Sequence, residues 1–347
     1  MANILDIRRR IRSVTNTRQI TRAMKMVSAA RLRRAQERAL AARPYAQMLT
    51  NVLKSLCSRA DIYDPVTGEL LHPLLVRRPE QNVLLIVVTG DKGLAGAFNA
   101  NILKAAARFI EAKSGKNIEI EAIGRKGRDF LRRRFSAAEP RSAESRQPAA
   151  TTLVGEHIGV LNKIEYALAS DFAERVIERY TRAEIDSVYI VYNEFKSVIA
   201  QRLIVEQVLP VEQIGEPALA DVKEMELEDK QRALEAARGA GVALRPTDTR
   251  EIDAHAAEIA TAPVDYIYEQ PPQELFRSLL PKYVGIQIFH ALLESVAAEH
   301  AARMTAMESA TNNASDMIDS YTLAMNRARQ AKITKEIIEI VSGAAAL

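Results

Sequence analysis

Three evenly spaced glycines follow a buried-strand pattern, and this segment comes closer than any other to a chemical site. Asn82 to Thr89 (NVLLIVVT) is an unbroken apolar, β-branched run typical of a buried parallel strand. Gly90, Gly93 and Gly96 come directly after it, where phosphate and dinucleotide sites form in α/β proteins. The spacing G-x-x-G-x-x-G matches neither the dinucleotide fingerprint nor the P-loop, and no acidic residue is well placed to hold a ribose. We expect a structural strand-to-helix turn, with a nucleotide-binding α/β enzyme as the alternative.

Side chains that could catalyse a reaction or bind a metal are scattered. The five histidines are isolated from one another in sequence. His290 and His300 are ten residues apart on a helical pattern, not the four that would place two ligands on one face. Cys57 is the only cysteine, which excludes an internal disulfide and a thiolate metal cluster. The sequence predicts no catalytic residue, no cofactor and no metal.

The elements around the glycines alternate between strand and helix. Strands are predicted at 82–89, 118–123, 187–193 and 198–209, with a short strand at the end of a loop over 136–152. Helices are predicted from Asn99 to about Lys113, at 125–134 and at 157–181. Such alternation indicates a central α/β domain with a mainly parallel sheet, which we place at residues 80–214.

The carboxyl-terminal segment, residues 273–347, is dominated by one amphipathic helix. Its stretch 286–342 contains neither glycine nor proline, so a rod of roughly 85 Å is expected. Apolar and small residues recur in alternating steps of four and three, the heptad pattern of a coiled coil. This seam consists of Leu293, Ala297, His300, Met304, Met307, Thr311, Ala314, Ile318, Tyr321, Met325 and Ala328. Its small residues predict that the two helices approach closely.

Residues 1–59 form the expected partner helix. Its apolar positions are Ile4, Ile7, Ile11 and Val14, then Ile20, Met24 and Val27, then Ala39, Ala42, Ala46, Leu49, Leu53 and Leu56. The six-residue step from Val14 to Ile20 predicts a slip in register, and Pro44 predicts a kink or a fresh segment. Helices from opposite ends of one chain must run antiparallel if the middle folds compactly at one end of them. The predicted fold class is therefore α/β with long terminal helices that form an antiparallel two-helix coiled coil.

Charge separates the amino-terminal helix from the rest. Residues 1–59 carry 14 Lys and Arg against Asp6 and Glu37, whereas residues 60–347 carry 34 against 42. The excess indicates either a solvated face or contact with nucleic acid, anionic lipid or an acidic protein loop. The arginines spread around the helix and Tyr45 is its only aromatic, which disfavours nucleic acid. A basic coiled-coil nucleic-acid or scaffold protein stays open as an alternative. No signal peptide is expected, because the first residues are charged and helical.

Four segments, in order along nearly the whole chain, resemble the gamma subunit of the F-type ATP synthase. They are Ile7–Leu32, Thr89–Asn99 (TGDKGLAGAFN), Ala301–Asn313 (AARMTAMESATNN) and Asn326–Gly343. The resemblance implies a non-catalytic central-stalk rotor that couples proton flow through the membrane c-ring to ATP synthesis and hydrolysis on the alpha and beta subunits. It further implies that the central domain is Rossmann-like without a nucleotide and docks on the epsilon subunit and the c-ring. The expected location is the cytoplasmic face of the bacterial inner membrane, peripheral and reached only through partners.

The resemblance also implies contact residues. Arg329, Gln330 and Thr334 match a family stretch that touches catch loops of the beta subunit. Met24 and Lys25 match the turn of the amino-terminal helix that faces an acidic lever loop of beta. The glycine loop departs from the family pattern because Ala95 stands where a cysteine is common, and we expect this packing position to tolerate the change.

Residues 215–262 form a further departure, an insert that a plain bacterial member of the family lacks. Asp221–Arg238 is predicted as a surface helix whose apolar positions make no clean stripe, so weak packing is expected. The insert contains no cysteine, which excludes a thiol switch of the kind that photosynthetic members carry. A tolerated surface elaboration and an arm that hinders rotation during hydrolysis are the two interpretations.

Overall fold

The computed structural model describes residues 4–59, 72–135, 151–198, 200–211, 214, 218–242 and 269–345. Helices are α1 (Ile4–Arg59), α2 (Phe98–Ala112), α3 (Arg125–Arg134), α4 (Tyr166–Thr181), α5 (Leu227–Ala240) and α6 (Pro272–Ala345). Strands are β1 (Asn82–Val88), β2 (Asn117–Ile123), β3 (Thr151–His157), β4 (Ser187–Ser197), β5 (Ala200–Leu209) and β6 (Ala218–Glu224). The expected architecture, long terminal helices around a central α/β domain, is confirmed.

The six strands form one mixed sheet in the order β3-β2-β1-β4-β5-β6. The first four are parallel to one another, while β5 and β6 are antiparallel additions at one edge. β1 lies in the interior and six of its seven side chains are buried, which explains why its sequence is apolar without alternation. The glycine loop leaves the carboxyl end of this central strand.

Two apolar cores, one on each face of the sheet, share the long helix α6. One core contains α4, the second half of α1 and the part of α6 from Phe276 to Leu293. The other contains α2, α5, the stretch of α1 from Ala29 to Ala35 and the part of α6 from Ala297 to Met304. Because α6 belongs to both cores, the coiled coil and the α/β domain are held together by apolar packing along several turns.

The two long helices, α1 of 56 residues and α6 of 74, pack antiparallel. Thr21 lies against Thr311 and Lys25 against Glu308, so the numbers on one helix rise as those on the other fall. On α6 the predicted seam is confirmed, since its positions from Leu293 to Ala328 are buried or half-buried.

The predicted register slip in α1 is wrong. The buried and half-buried positions keep an unbroken alternation of four and three: Ile7, Ile11, Val14, Arg18, Thr21, Lys25, Ser28, Leu32, Ala35, Ala39, Ala42, Ala46, Leu49, Leu53 and Leu56. Ile20 and Val27, which were assigned to the seam, are 60% and 53% exposed. The seam passes instead through polar residues that find polar partners on α6, and an apolar pattern cannot reveal such positions.

The fresh segment predicted at Pro44 does not form either. α1 is a single helix from Ile4 to Arg59 with Pro44 inside it. Pro44 is exposed, so its ring lies away from the seam, and the helix continues although proline donates no hydrogen bond to the carbonyl four residues earlier. Likewise α6 continues through Pro281. Packing of both helices along the seam outweighs the local preference of proline.

The insert is more firmly integrated than its sequence predicts. Its first part is β6, which pairs with β5, so residues 221–224 are strand and the helix begins only at Leu227. Helix α5 then packs through a stripe of buried alanines, Ala233, Ala236, Ala237 and Ala240, into the core around α6. The pattern of large apolar residues does not reveal this stripe, because alanine is small and the larger Leu227 is 78% exposed. Residues 215–217 and 243–262 of the predicted insert lie outside the described residues.

The helix predicted from His157 is also shorter than expected. β3 runs to His157, Gly159 takes a left-handed conformation with φ of 80°, and α4 begins only at Tyr166. The loop predicted at 136–152 lies outside the described residues up to position 150, and β3 follows it as expected.

Bulk should not be tolerated where the seam joins the second core. Ala297 has no exposed surface, so Ala297→Phe should overpack the contact and lower the free energy of unfolding by about 1–3 kcal/mol. Urea unfolding of the full chain measures this. Ala324→Phe is the matched control on an exposed position of the same helix and should change stability by less than about 0.5 kcal/mol. Equal effects of the two substitutions would contradict the seam assignment.

Candidate functional site

The glycine loop is bound to the long helix α6. Gly90 N–H donates to Asn99 Oδ1 at 2.8 Å, which closes the turn onto the start of α2. Arg303 of α6 donates to the carbonyl oxygens of Lys92 and Gly93 at 3.4 Å. A Cβ on Gly90 would lie 2.6 Å from Glu299 Oε1, so the absence of a side chain there lets α6 come close. The glycine loop therefore fixes α6 against the carboxyl end of β1.

Asp91 fastens the same loop to α3 and to the connection between β3 and α4. Its carboxylate accepts hydrogen bonds from Arg125 N–H at the start of α3, at 3.0 Å, and from Gly159 N–H, at 3.1 Å. A carboxylate at a helix N-terminus is favoured by the helix dipole and by the free N–H groups of the first turn. The loop therefore joins three elements, α3, the β3–α4 connection and α6.

The predicted glycines have unequal roles. Gly96 has a positive φ of 54° and Ala306 of α6 lies 3.7 Å from the position of its missing Cβ, whereas Gly93 has room for a side chain. Ala95 between them is buried with 1% exposure, which fits the packing role expected for it. The tightest position is Gly124, where a Cβ would lie 1.9 Å from the carbonyl oxygen of Thr89 and φ is 94°.

A buried ion pair lies beneath the loop, and the sequence analysis did not single it out. Glu299 and Arg303 of α6 form a contact one helical turn apart, and their side chains are both 8% exposed. Burial raises the pKa of Glu299, and Arg303 acts against that rise. A glutamate four residues before an arginine is a readable signal, but the pattern is equally common on exposed helix faces.

His300 lies beside this pair in the seam. Burial, together with the charges of Arg303 and Arg31, lowers the pKa of His300 to about 4, so the ring is neutral at physiological pH. Its Nδ1 lies 3.3 Å from Arg303 Nη1. In the parts of the chain that the structure describes, no three His, Cys, Asp or Glu side chains are grouped as a metal ion would require.

A polar layer crosses the seam farther along the coiled coil. The hydroxyl oxygens of Thr21 and Thr311 are 2.7 Å apart. Lys25 Nζ lies 2.5 Å from Glu308 Oε2, with side-chain exposures of only 10% and 17%. Lys25 also donates to the carbonyl oxygen of Gly239, at the end of α5, at 3.4 Å. Of the two residues expected to face a beta subunit, Lys25 is thus engaged within the chain and Met24 is half-buried.

The three other predicted contact residues lie together at the free end of α6. Because Thr21 faces Thr311, the antiparallel pairing brings Ile4, the first described residue of α1, level with Ala328. Beyond Ala328 every described side chain to position 342 is exposed, including Arg329, Gln330 and Thr334. Five large apolar residues share this end: Ile333, Ile337, Ile338, Ile340 and Val341. We call residues 329–345 the tip.

Comparison with known proteins gives consistent matches along the whole chain. A family model described as ATP synthase matches residues 3–347. The chain is 49% identical over 346 residues to the ATP synthase gamma chain of Solibacter usitatus (strain Ellin6076), covering 100% of this chain and 99% of that protein. It is 42% identical over 349 residues to the ATP synthase gamma chain of Anaeromyxobacter sp. (strain Fw109-5), covering 100% of both.

Two solved structures share the fold at low sequence identity. One belongs to the Tetrahymena thermophila mitochondrial ATP synthase central stalk and c-ring, with a TM-score of 0.51 at 20% identity over 84% of this chain and 99% of that one. The other belongs to the Euglena gracilis mitochondrial ATP synthase, with a TM-score of 0.54 at 17% identity over 99% of this chain and 94% of that one.

The polar layer should stabilise the coiled coil only while both partners are present. Lys25→Met leaves the carboxylate of Glu308 without its cation in a mostly buried site, so stability should fall by about 3 kcal/mol. The double variant Lys25→Met/Glu308→Met should recover most of that loss, as thermal unfolding of the full chain would report. Lys335→Met, which breaks an exposed pair with Glu339, should cost less than about 1 kcal/mol. A double variant as unstable as Lys25→Met would show that the two side chains are not coupled.

Adding a methyl group should affect stability very differently at Gly124 and at Gly93. Gly124→Ala should lower stability by about 3 kcal/mol or more, because the new Cβ meets backbone oxygen and φ is in the left-handed region. Gly93→Ala should be close to neutral, since its nearest neighbour would be the end of the Lys126 side chain at 3.6 Å. Chemical denaturation of the two variants measures the difference. A destabilised Gly93→Ala beside a stable Gly124→Ala would overturn the account of the loop.

Proposed function

Since this chain belongs to the ATP synthase family as a gamma chain, a subunit of the central stalk, we propose how its own residues couple rotation to the catalytic ring. The α1–α6 coiled coil turns inside the ring of alpha and beta subunits. The α/β domain docks on the epsilon subunit and the membrane c-ring. Proton flow through the c-ring then drives rotation, and ATP chemistry takes place on the beta subunits, so this chain has no catalytic site of its own.

The main support for this proposal is the exposed surface of the tip. An isolated helix end with exposed isoleucines beside exposed Arg329, Gln330 and Thr334 is costly in water unless another surface covers it. At the helical rise, residues 329–345 extend about 25 Å beyond the level of Ile4, enough to enter a ring of subunits. The apolar side chains supply a bearing surface, and the polar ones form hydrogen bonds with beta catch loops at particular angles of rotation.

Met24 and Lys25 form the second proposed contact with beta. The helix around them has many cations without local acidic partners, which suits an acidic lever loop. Lys25 already pairs with Glu308 and touches Gly239, so direct contact with beta requires it to exchange partners. Met24 and the exposed arginines nearby, such as Arg22, can meet the loop without that exchange.

Attachment to the membrane is through partners. None of the helices in the described ranges is long and apolar enough to cross a bilayer. We place the complex on the cytoplasmic face of the bacterial inner membrane, with this chain as a peripheral component held by the c-ring and epsilon. Nucleic acid is not a proposed partner.

The two alternatives have less support. A nucleotide enzyme would use the glycine loop for phosphate, but that loop is bound to α6 through Arg303 and to α3 through Asp91. A nucleic-acid coiled coil would need a stripe of cations with aromatic residues between them, whereas the arginines of α1 spread around the helix and Tyr45 is the only aromatic of residues 1–59. Both observations favour the rotor.

Replacing the polar tip residues should uncouple the motor without unfolding the chain. In the assembled complex, Arg329→Ala/Gln330→Ala removes hydrogen bonds worth roughly 1.5–3 kcal/mol each, so ATP hydrolysis and ATP-driven proton pumping should fall about tenfold or more. Arg10→Ala/Gln19→Ala changes the same residue types at exposed positions of α1 and should leave more than half of the activity. Unchanged hydrolysis and pumping in the tip variant would remove these residues from the mechanism.

A further inference from the structure

A cavity of about 630 Å³ lies between the insert and the body of the protein. The segment that joins β6 to α5 lines it with Met225 and Asp229, and α6 lines it from Ala302 to Asn313. Strands β4 and β5, the glycine loop and Phe98 complete the lining. We call this space the insert pocket. Its volume is within the range of pockets that bind small molecules.

Two carboxamide groups line the deep part of the insert pocket, those of Asn193 on β4 and Gln201 on β5. Asn193 pairs with Leu203, two residues beyond Gln201, so the two amides project from the same face of the sheet. Asn193 is 9% exposed and Gln201 is 8% exposed. The polar groups at the base of the pocket are therefore neutral amides.

The amide of Asn193 is buried without a hydrogen-bond partner in the part of the chain that the structure describes. Its atoms are still accessible, because the fully enclosed and unpaired side-chain atoms found there belong to Gln287, Ser295 and Glu308. Gln201 Nε2 donates to the carbonyl oxygen of Val198 at 3.3 Å, which leaves Gln201 Oε1 as an acceptor. A buried amide without a partner is costly, so a ligand that satisfies Asn193 gains affinity.

The α6 wall offers acceptors and apolar surface. Thr305 Oγ1 donates to the carbonyl oxygen of Ala301 and Ser309 Oγ donates to that of Thr305, so both hydroxyl oxygens keep lone pairs for a donor on a ligand. Phe98 and Met225 add an aromatic ring and a thioether, which pack well against a flat ring. Alanines at steps of four form a stripe on the same wall: Ala302, Ala306 and Ala310.

The charged side chains of the insert pocket lie on the insert and are exposed. They are two cations and three acids: Lys223, Arg232, Glu224, Glu226 and Asp229. Each cation lies within 3.5 Å of one of these acids. Because the acids outnumber the cations, the mouth of the pocket does not attract an anion.

We propose that the insert pocket binds an uncharged heterocycle of the nucleobase type. The donor–acceptor edge of the ring pairs with the amides of Asn193 and Gln201, and its face packs on the alanine stripe of α6. A carboxamide presents a donor beside an acceptor, which is how asparagine and glutamine match the edge of adenine. An apolar helix of a partner protein fits less well, because it would leave the amide of Asn193 unpaired.

A ligand at this place joins the insert to the long helix. Without it, α5 is held by its buried alanines and by two cations of α1 at its carboxyl end. Lys25 donates to the carbonyl oxygen of Gly239 at 3.4 Å, and Arg33 donates to that of Gly241 at 2.5 Å. A ring that contacts Met225 and the alanine stripe together adds a third attachment, so occupancy of the pocket stabilises the docked position of α5.

Titration of the full chain with adenosine and, separately, with uridine tests the proposal. Calorimetry should show one saturable site per chain, and Tm should rise with the concentration of the nucleoside that binds. Asn193→Leu should weaken binding at least tenfold and abolish the rise in Tm. Without ligand, this variant should be at least as stable as the natural chain, because an apolar group replaces an unpaired buried amide.

Two further variants separate the amide from the space around it. Asn312→Leu makes the same change at an exposed position of α6 outside the pocket and should leave the affinity within about twofold. Ala310→Leu fills part of the pocket without altering either amide, and it should weaken binding at least tenfold in a folded chain.

NMR gives a readout at the amide itself. The side-chain amide signals of Asn193, assigned by their loss in Asn193→Leu, should shift during the titration, while those of Asn312 stay in place. Adenosine monophosphate should bind more weakly than adenosine, because its phosphate meets the excess of acids at the mouth.

Three results would overturn the site: saturable binding of neither nucleoside, equal weakening by Asn193→Leu and Asn312→Leu, or tighter binding of adenosine monophosphate than of adenosine. Binding of one nucleoside alone supports the site and identifies the ring as a purine or a pyrimidine. None of these results bears on the proposed rotor, because that proposal depends on the tip.

Discussion

Close contact between α1 and α6 is the constraint on which the rest of this structure depends. Where the contact meets the sheet, the seam is built from alanine and other small residues, so the helix axes approach and each layer buries little surface. The stability of the helix pair then depends on the number of layers along the two helices. It also depends on the two apolar cores, which pack against α6 on opposite faces of the sheet. A long helix pair of this composition would be marginal by itself. The α/β domain is thus the support that keeps the pair in register.

Polar side chains define that register where apolar ones do not. Thr21 meets Thr311 and Lys25 meets Glu308 at seam positions, and a shift by one heptad would bury each of them without its partner. Farther along α6, Glu299 and Arg303 are buried as a pair, and Arg303 donates hydrogen bonds to carbonyl oxygens of the glycine loop. Polar residues of α6 therefore fix both its alignment with α1 and its position against the α/β domain.

Much of this could be predicted from sequence, because periodicity and strand patterns are local signals. The strands other than β6, the two long helices and the α6 seam followed from them. The α1 register did not, because its seam runs through Arg18, Thr21 and Lys25, whose burial depends on partners far away in the chain. The packing of α5 was missed for a related reason, since alanines bury well only where another backbone lies close. Likewise, Gly124 is constrained by Thr89, a neighbour that only the folded sheet provides.

The free tip of α6 has a mechanical consequence. Along most of its length α6 is braced by α1, and around Ala297 to Met304 also by the sheet and α5. Past Ala328 the described chain continues as one helix. The resistance of a rod to twisting and bending grows steeply with its cross-section, so under torque the strain concentrates in this thin last section while the braced part turns almost rigidly. The molecule is a stiff rod with a compliant end, and in the rotor proposed above the elastic energy of a rotary step is stored in that end.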